Sequence, residues 1–131
     1  MKKEKTKKEN KNEELKTEFK KRIYSWTLRL IKFTDGLPQD ASSRAIAQQL
    51  ISSGAGVGSN YIEAQVVSSK EDSDNFVQEA SKFANESKFW LAILRGLNRG
   101  KQEELGWLFQ EIAEIINILG SGFSIKKGKK K

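Results

Sequence analysis

Apolar residues at Leu15, Phe19, Ile23, Trp26, Leu30 and Phe33 recur at spacings of 4, 4, 3, 4 and 3. At about 100° per residue they fall within an arc of about 80°, which predicts one amphipathic helix. Asp35-Gly36, with Pro38 just beyond, ends it. A second helix is expected from near Ser42, capped by Asp40 or Ser42, through Ile46, Leu50, Val57 and Tyr61 to about Val66. Ser68-Ser69-Lys70-Glu71-Asp72 then offers two overlapping capping boxes, Ser68 with Glu71 or Ser69 with Asp72. The helix that follows carries Phe76, Ala80, Phe83, Ser87, Trp90, Leu94 and Leu97, and closes at Asn98-Arg99-Gly100. A fourth places Leu105, Phe109, Ile112, Ile116 and Leu119 on one face before Gly120-Ser121-Gly122 weakens it. No alternating strand pattern competes. The expected fold is all-α, an antiparallel up-down-up-down four-helix bundle over residues 13–123.

Two helices carry more apolar surface than one buried stripe requires. Tyr24, Leu28 and Ile31 lie roughly 160–220° from Leu15 on the first helical wheel, and Trp107 and Ile118 roughly 200–220° from Leu105 on the fourth. Scattered exposed apolar residues are ordinary. Five on the far sides of two helices predict a partner surface, and so a homo-oligomer.

Composition narrows the chemistry. The 131 residues fit one small domain, and histidine and cysteine are both absent. This excludes disulfides, thiolate nucleophiles, imidazole bases, zinc fingers and Glu-x-x-His di-iron sites. The only methionine is Met1 and the only proline Pro38. There is no apolar run long enough to span a membrane and no apolar stretch behind the lysine-rich start, so no membrane association and a cytoplasmic location are expected. The formal charge is +7, but residues 1–12 hold six lysines and two glutamates, and residues 124–131 five lysines. The segment between them is slightly acidic, apart from a basic first helix. Both ends are expected to be disordered tails, since lysine blocks without apolar residues bury too little to order themselves. They can release counterions from a phosphate backbone, or serve only to solubilise.

Three other features invite a functional reading. Gly54-Ala55-Gly56-Val57-Gly58-Ser59 suggests a phosphate loop, but no strand precedes it and no Gly-Lys-Ser/Thr follows. Close backbone approach to a neighbouring helix, with a possible kink, suits a glycine run inside a helix better. The pairs Glu71–Asp74 and Glu111–Glu114 have the i, i+3 spacing of all-helical magnesium-dependent nucleotide pyrophosphohydrolases. The first pair, however, sits where acids simply complement a helix dipole. Asn60, Glu63 and Glu86 lie beside apolar stripes and are expected to form a structural polar network between helices. No metal or cofactor is implied.

GVGSNYIEA (Gly56 to Ala64), the Ser69-Lys70 turn with Phe76, ESKFWLAIL (Glu86 to Leu94) and EIAEIINILGS (Glu111 to Ser121) resemble the four helix bundle protein family. Its founding members are encoded in intervening sequences of bacterial large-subunit ribosomal RNA genes. The resemblance spans about Glu18 to Lys127 and departs from the pattern near Val57, where many relatives have proline. It implies a homopentameric assembly. It also extends to the accessory variability determinant of diversity-generating retroelements, a pentamer that binds nucleic acid and a reverse transcriptase. Family membership alone transfers no molecular function.

The expected function is therefore a non-enzymatic homo-oligomer that binds RNA or DNA electrostatically, as an accessory to a nucleic-acid enzyme such as a retroelement reverse transcriptase. Phosphate contacts are assigned to Lys16, Lys20, Lys21 and Arg22 on the first helix and to Lys126, Lys127, Lys129, Lys130 and Lys131. No aromatic–basic surface for reading bases is evident in the sequence. A protein-interaction scaffold with solubilising tails is the alternative, and a magnesium pyrophosphohydrolase the third.

Overall fold

The computed structural model describes residues 6–121. Four helices make up nearly all of it: α1 (Lys7–Asp35), α2 (Ala41–Val66), α3 (Lys70–Gly96) and α4 (Gln102–Gly120). There is no strand among the described residues. Each helix packs on two others, in the cyclic order α1, α2, α3, α4.

The local signals work as capping chemistry predicts. Asp40 caps α2 by accepting from the Ser43 amide at 2.8 Å. Ser69, rather than Ser68, caps α3 through the Asp72 amide at 3.0 Å. The first helix departs from expectation. It begins at Lys7, not near residue 13, because Thr6 and Glu9 form a reciprocal capping box that satisfies two orphan amides. Residues 7–12 therefore belong to a helix and not to a tail.

The core is continuous. Trp26, Leu30, Leu50, Val57, Tyr61, Leu91, Leu94, Leu108, Ile112 and Ile115 are fully buried. Trp26 anchors α1 to α4, its indole N–H donating to the Leu108 carbonyl oxygen at 3.0 Å. Leu15 leaves the predicted stripe and is 45% exposed. On α3 the buried line runs through Ala80, Ala84, Ser87, Leu91 and Leu94, whereas Phe76, Phe83 and Trp90 flank it half-buried and Leu97 is exposed. The small residues on that line let α2 approach closely.

The glycine run serves that approach. A Cβ at Gly54 would stand 2.4 Å from Leu30 Cδ2 and 3.2 Å from the Trp26 ring. One at Gly56 would stand 2.7 Å from the Phe83 ring. The run thus lies inside an unbroken helix, with α1 on one side of it and α3 on another.

Candidate nucleic-acid interface

The residues expected to contact phosphate do not share one environment. Lys20 and Lys21 are exposed on α1, and Lys16 is half-buried one turn earlier. Arg22 is committed elsewhere. Its Nε donates to Glu111 at 2.8 Å, and its terminal nitrogen reaches Glu111 at 2.9 Å and Glu114 at 2.7 Å. The hydrogen bond to Glu111 and the nearby negative charge raise the Arg22 pKa above its ordinary value. Two carboxylates thus already share the Arg22 guanidinium where the sequence expects a phosphate contact. Lys126, Lys127, Lys129, Lys130 and Lys131 lie outside the described residues.

The same ion pair occupies both carboxylates of one expected magnesium pair. Glu111 and Glu114 do converge, but on Arg22. Asp74 accepts from Lys70 one turn before it on α3. No group of three or more carboxylates able to hold a metal ion occurs among the described residues.

A second ion pair lies along the same α1–α4 seam. Arg29 donates to both oxygens of Glu104, at 2.8 and 2.9 Å, and its guanidinium stacks 3.5 Å above the Trp107 ring. The hydrogen bond from Arg29 lowers the Glu104 pKa. This explains why Trp107 fails as a free apolar patch: it is half-buried beneath Arg29. Ile118 is also half-buried against the core. The other members of the expected interface stay open, with Tyr24 66%, Leu28 42% and Ile31 37% exposed.

The expected polar network of Asn60, Glu63 and Glu86 does not form. Asn60 donates to the Gly56 carbonyl of its own helix at 2.8 Å, while Glu63 and Glu86 are exposed. Serines take that role. Ser53 and Ser87 meet at 2.9 Å across α2 and α3, and Ser73 donates to the Ala64 carbonyl at 2.9 Å. The signal was present in the sequence: Ser53 and Ser87 lie in phase with Leu50 and Val57, and with Ala84 and Leu91.

Between α1 and α2 runs an open groove of about 530 Å³. Lys20, Lys21 and Tyr24 line it from α1, and Ala55, Gly58 and Ile62 from α2. Tyr61 also lines it, edge-on to Phe19 with ring centroids 5.1 Å apart. The Tyr61 side chain is fully buried, and its hydroxyl has no hydrogen-bond partner among the described residues. Burial pushes its pKa well above the ordinary phenol value, so the group stays protonated. No helix among the described residues is long and apolar enough to cross a membrane.

Comparison with known proteins places this arrangement. A crystal structure of a protein of unknown function from the S23 ribosomal protein family of Bacteroides thetaiotaomicron is similar, with a TM-score of 0.70 and 26% identity. The match covers 80% of this chain and 97% of that one. No curated protein matches. The profile of the 23S rRNA-intervening sequence protein family matches residues 15–121, most of the helical body, and the chain belongs to that family.

Proposed function

We propose that this protein is a non-enzymatic homo-oligomer, an up-down-up-down bundle assembling as a pentamer, that binds RNA or DNA through phosphate contacts. The observation that carries the reading is the exposed pair Lys20 and Lys21 on α1, in a chain whose two ends add eleven lysines. The name of its family, given for intervening sequences of 23S rRNA genes, agrees with a nucleic-acid setting. For the topology, Arg22 pairs with Glu111 and Arg29 with Glu104, and Phe19 meets Tyr61 while Leu30 meets Gly54. In both sets the numbering of neighbouring helices runs in opposite directions. Leu28 and Ile31, exposed on α1, are the natural self-contact, with Tyr24 at its border.

A pentamer carries ten lysine-rich ends, and multivalency raises the affinity of individually weak contacts. A retroelement reverse transcriptase, or another enzyme acting on nucleic acid, is the class of protein such an accessory would serve. A protein-interaction scaffold is the second reading, favoured by Phe89, which is 54% exposed on α3. The experiment is a salt titration of binding to labelled RNA and DNA. The logarithm of affinity should fall linearly with the logarithm of salt, by about 0.7–0.9 per phosphate neutralised. Removing both lysine-rich ends should abolish most of the binding. A scaffold keeps its partner in the same experiment and shows no salt slope with nucleic acid.

A further inference from the structure

We infer that the α1–α2 groove is a slot for one unpaired base of a single-stranded nucleic acid, with the flanking phosphates against Lys20 and Lys21. The inference rests on the nucleic-acid reading above and narrows it from any phosphate backbone to single strands.

The shape comes from the sequence of α2. Where it faces the groove it presents Ala55, Gly58 and Ser59, so ordinary side chains do not fill the space. The resulting volume, about 530 Å³, lies in the range of small-molecule sites, about 300–1,000 Å³. The walls suit a flat, weakly polar ring. Tyr24 offers an exposed aromatic surface and Ile62 an aliphatic one. Bases stack on such side chains whatever their identity, because every base has a π-face.

The polar groups are few and pointed. The Tyr61 hydroxyl is buried and unpartnered on the lining of a groove otherwise made mostly of apolar atoms. A base edge carries both donors and acceptors and can complete that hydrogen bond once a small movement of the ring opens the hydroxyl to the groove, which an aliphatic occupant cannot. Lys20 and Lys21 supply the charge complement at the rim. Phe19–Tyr61 and Ile23–Gly58 contacts put the lysines and the phenol at the same end of the groove, so phosphate and base edge are served together. A duplex keeps its bases stacked and paired and cannot fill the slot without flipping one out. Leu28 and Ile31, further along α1, remain available for self-contact.

No aromatic–basic surface is evident in the sequence, whereas the fold sets Tyr24 beside Lys20 and Lys21 on one groove. Tyr24 is separated from Ile62 by 38 positions, and only the packing of α1 on α2 makes them two walls of one groove.

The test uses the full chain, a short labelled oligoadenylate RNA and a duplex of equal length, compared by fluorescence anisotropy at low salt. Three variants separate the slot from the phosphate contacts. Ala55→Phe fills the groove from an exposed position, Tyr24→Ala removes a wall, and Tyr61→Phe removes only the hydroxyl. The expected result is a preference for the single strand, weakened about tenfold by Ala55→Phe and by Tyr24→Ala. Tyr61→Phe should weaken it about two- to tenfold. Duplex binding should change less than about twofold in all three, since it uses phosphate contacts alone. If the unaltered chain binds both forms alike and Ala55→Phe is silent, the slot is wrong and the phosphate reading stands. If neither form binds, both are wrong. If Ala55→Phe or Tyr24→Ala instead breaks the oligomer in sedimentation, the groove holds a second copy of the chain and the proposal is overturned.

Discussion

Ser53 Oγ on α2 and Ser87 Oγ on α3 stand 2.9 Å apart in the centre of the bundle, both buried. Each is also within reach of a carbonyl of its own helix, Ser53 of Leu50 at 3.2 Å and Ser87 of Phe83 at 3.0 Å. Two hydroxyl protons serve three contacts. At any moment one serine donates to the other while the second proton goes to a backbone carbonyl. The pair lets two helices approach through small side chains without leaving a polar group unsatisfied.

The coupling is measurable. Ser53→Ala alone should cost about 1 kcal/mol, because Ser87 keeps its backbone acceptor but loses a partner. Ser53→Ala with Ser87→Ala should cost less than the sum of the singles, because each single loses the shared hydrogen bond and the double loses it only once. Urea unfolding of the four proteins gives the coupling, and strict additivity would argue that the two hydroxyls do not interact.

Two glycines in helices should respond to alanine in opposite directions. Removing glycine from a helix gains up to about 1 kcal/mol of propensity. At Gly106, with open space around the added carbon, that gain should appear as a higher melting temperature. At Gly54 the new Cβ meets Leu30 and Trp26, both fully buried, and overpacking of that kind costs about 1–3 kcal/mol. The clash outweighs the propensity gain, so Gly54→Ala should lower the melting temperature.

Acid sensitivity follows from two depressed carboxylates. The Ser43 backbone amide at the start of α2 holds the Asp40 pKa below 3.8, and Arg29 holds that of Glu104 below 4.5. In each case the unfolded chain binds the proton at higher pH than the folded chain. The stabilisation is therefore complete above the unfolded value and is lost as pH falls through the folded one. Stability should decline below about pH 4.5. Glu104→Gln should flatten part of that decline in thermal melts between neutral pH and pH 3.

The self-contact is tested on α1. Leu28→Asp with Ile31→Asp places two charges on residues 42% and 37% exposed, outside the core. The melting temperature at high dilution should change little, while sedimentation velocity should show a smaller species. An unchanged sedimentation coefficient would move the interface to another face.

Much of this was legible in the chain. Helix positions and the buried phase of Phe19, Ile23, Trp26, Leu30 and Phe33 follow from spacings of three and four residues, while the caps were narrowed to Asp40 or Ser42 and to Ser68 or Ser69, of which the fold uses Asp40 and Ser69. Such signals are local, so a periodic pattern determines them before any two helices meet. The start of α1 is hidden in a lysine-rich segment whose charge reads as a tail, while Thr6 and Glu9 carry the cap.

What the fold alone decided depends on residues far apart in the chain. Arg22 looked like a phosphate ligand until α4 brought Glu111 and Glu114 to it, and Trp107 looked like open surface until Arg29 covered it. The groove lined by Tyr24, Tyr61 and Lys20 has no counterpart in any linear pattern. Helix periodicity states which face of each helix is apolar. The axial register between helices determines which charge finds a partner and which hydroxyl goes without, and that register is set by packing.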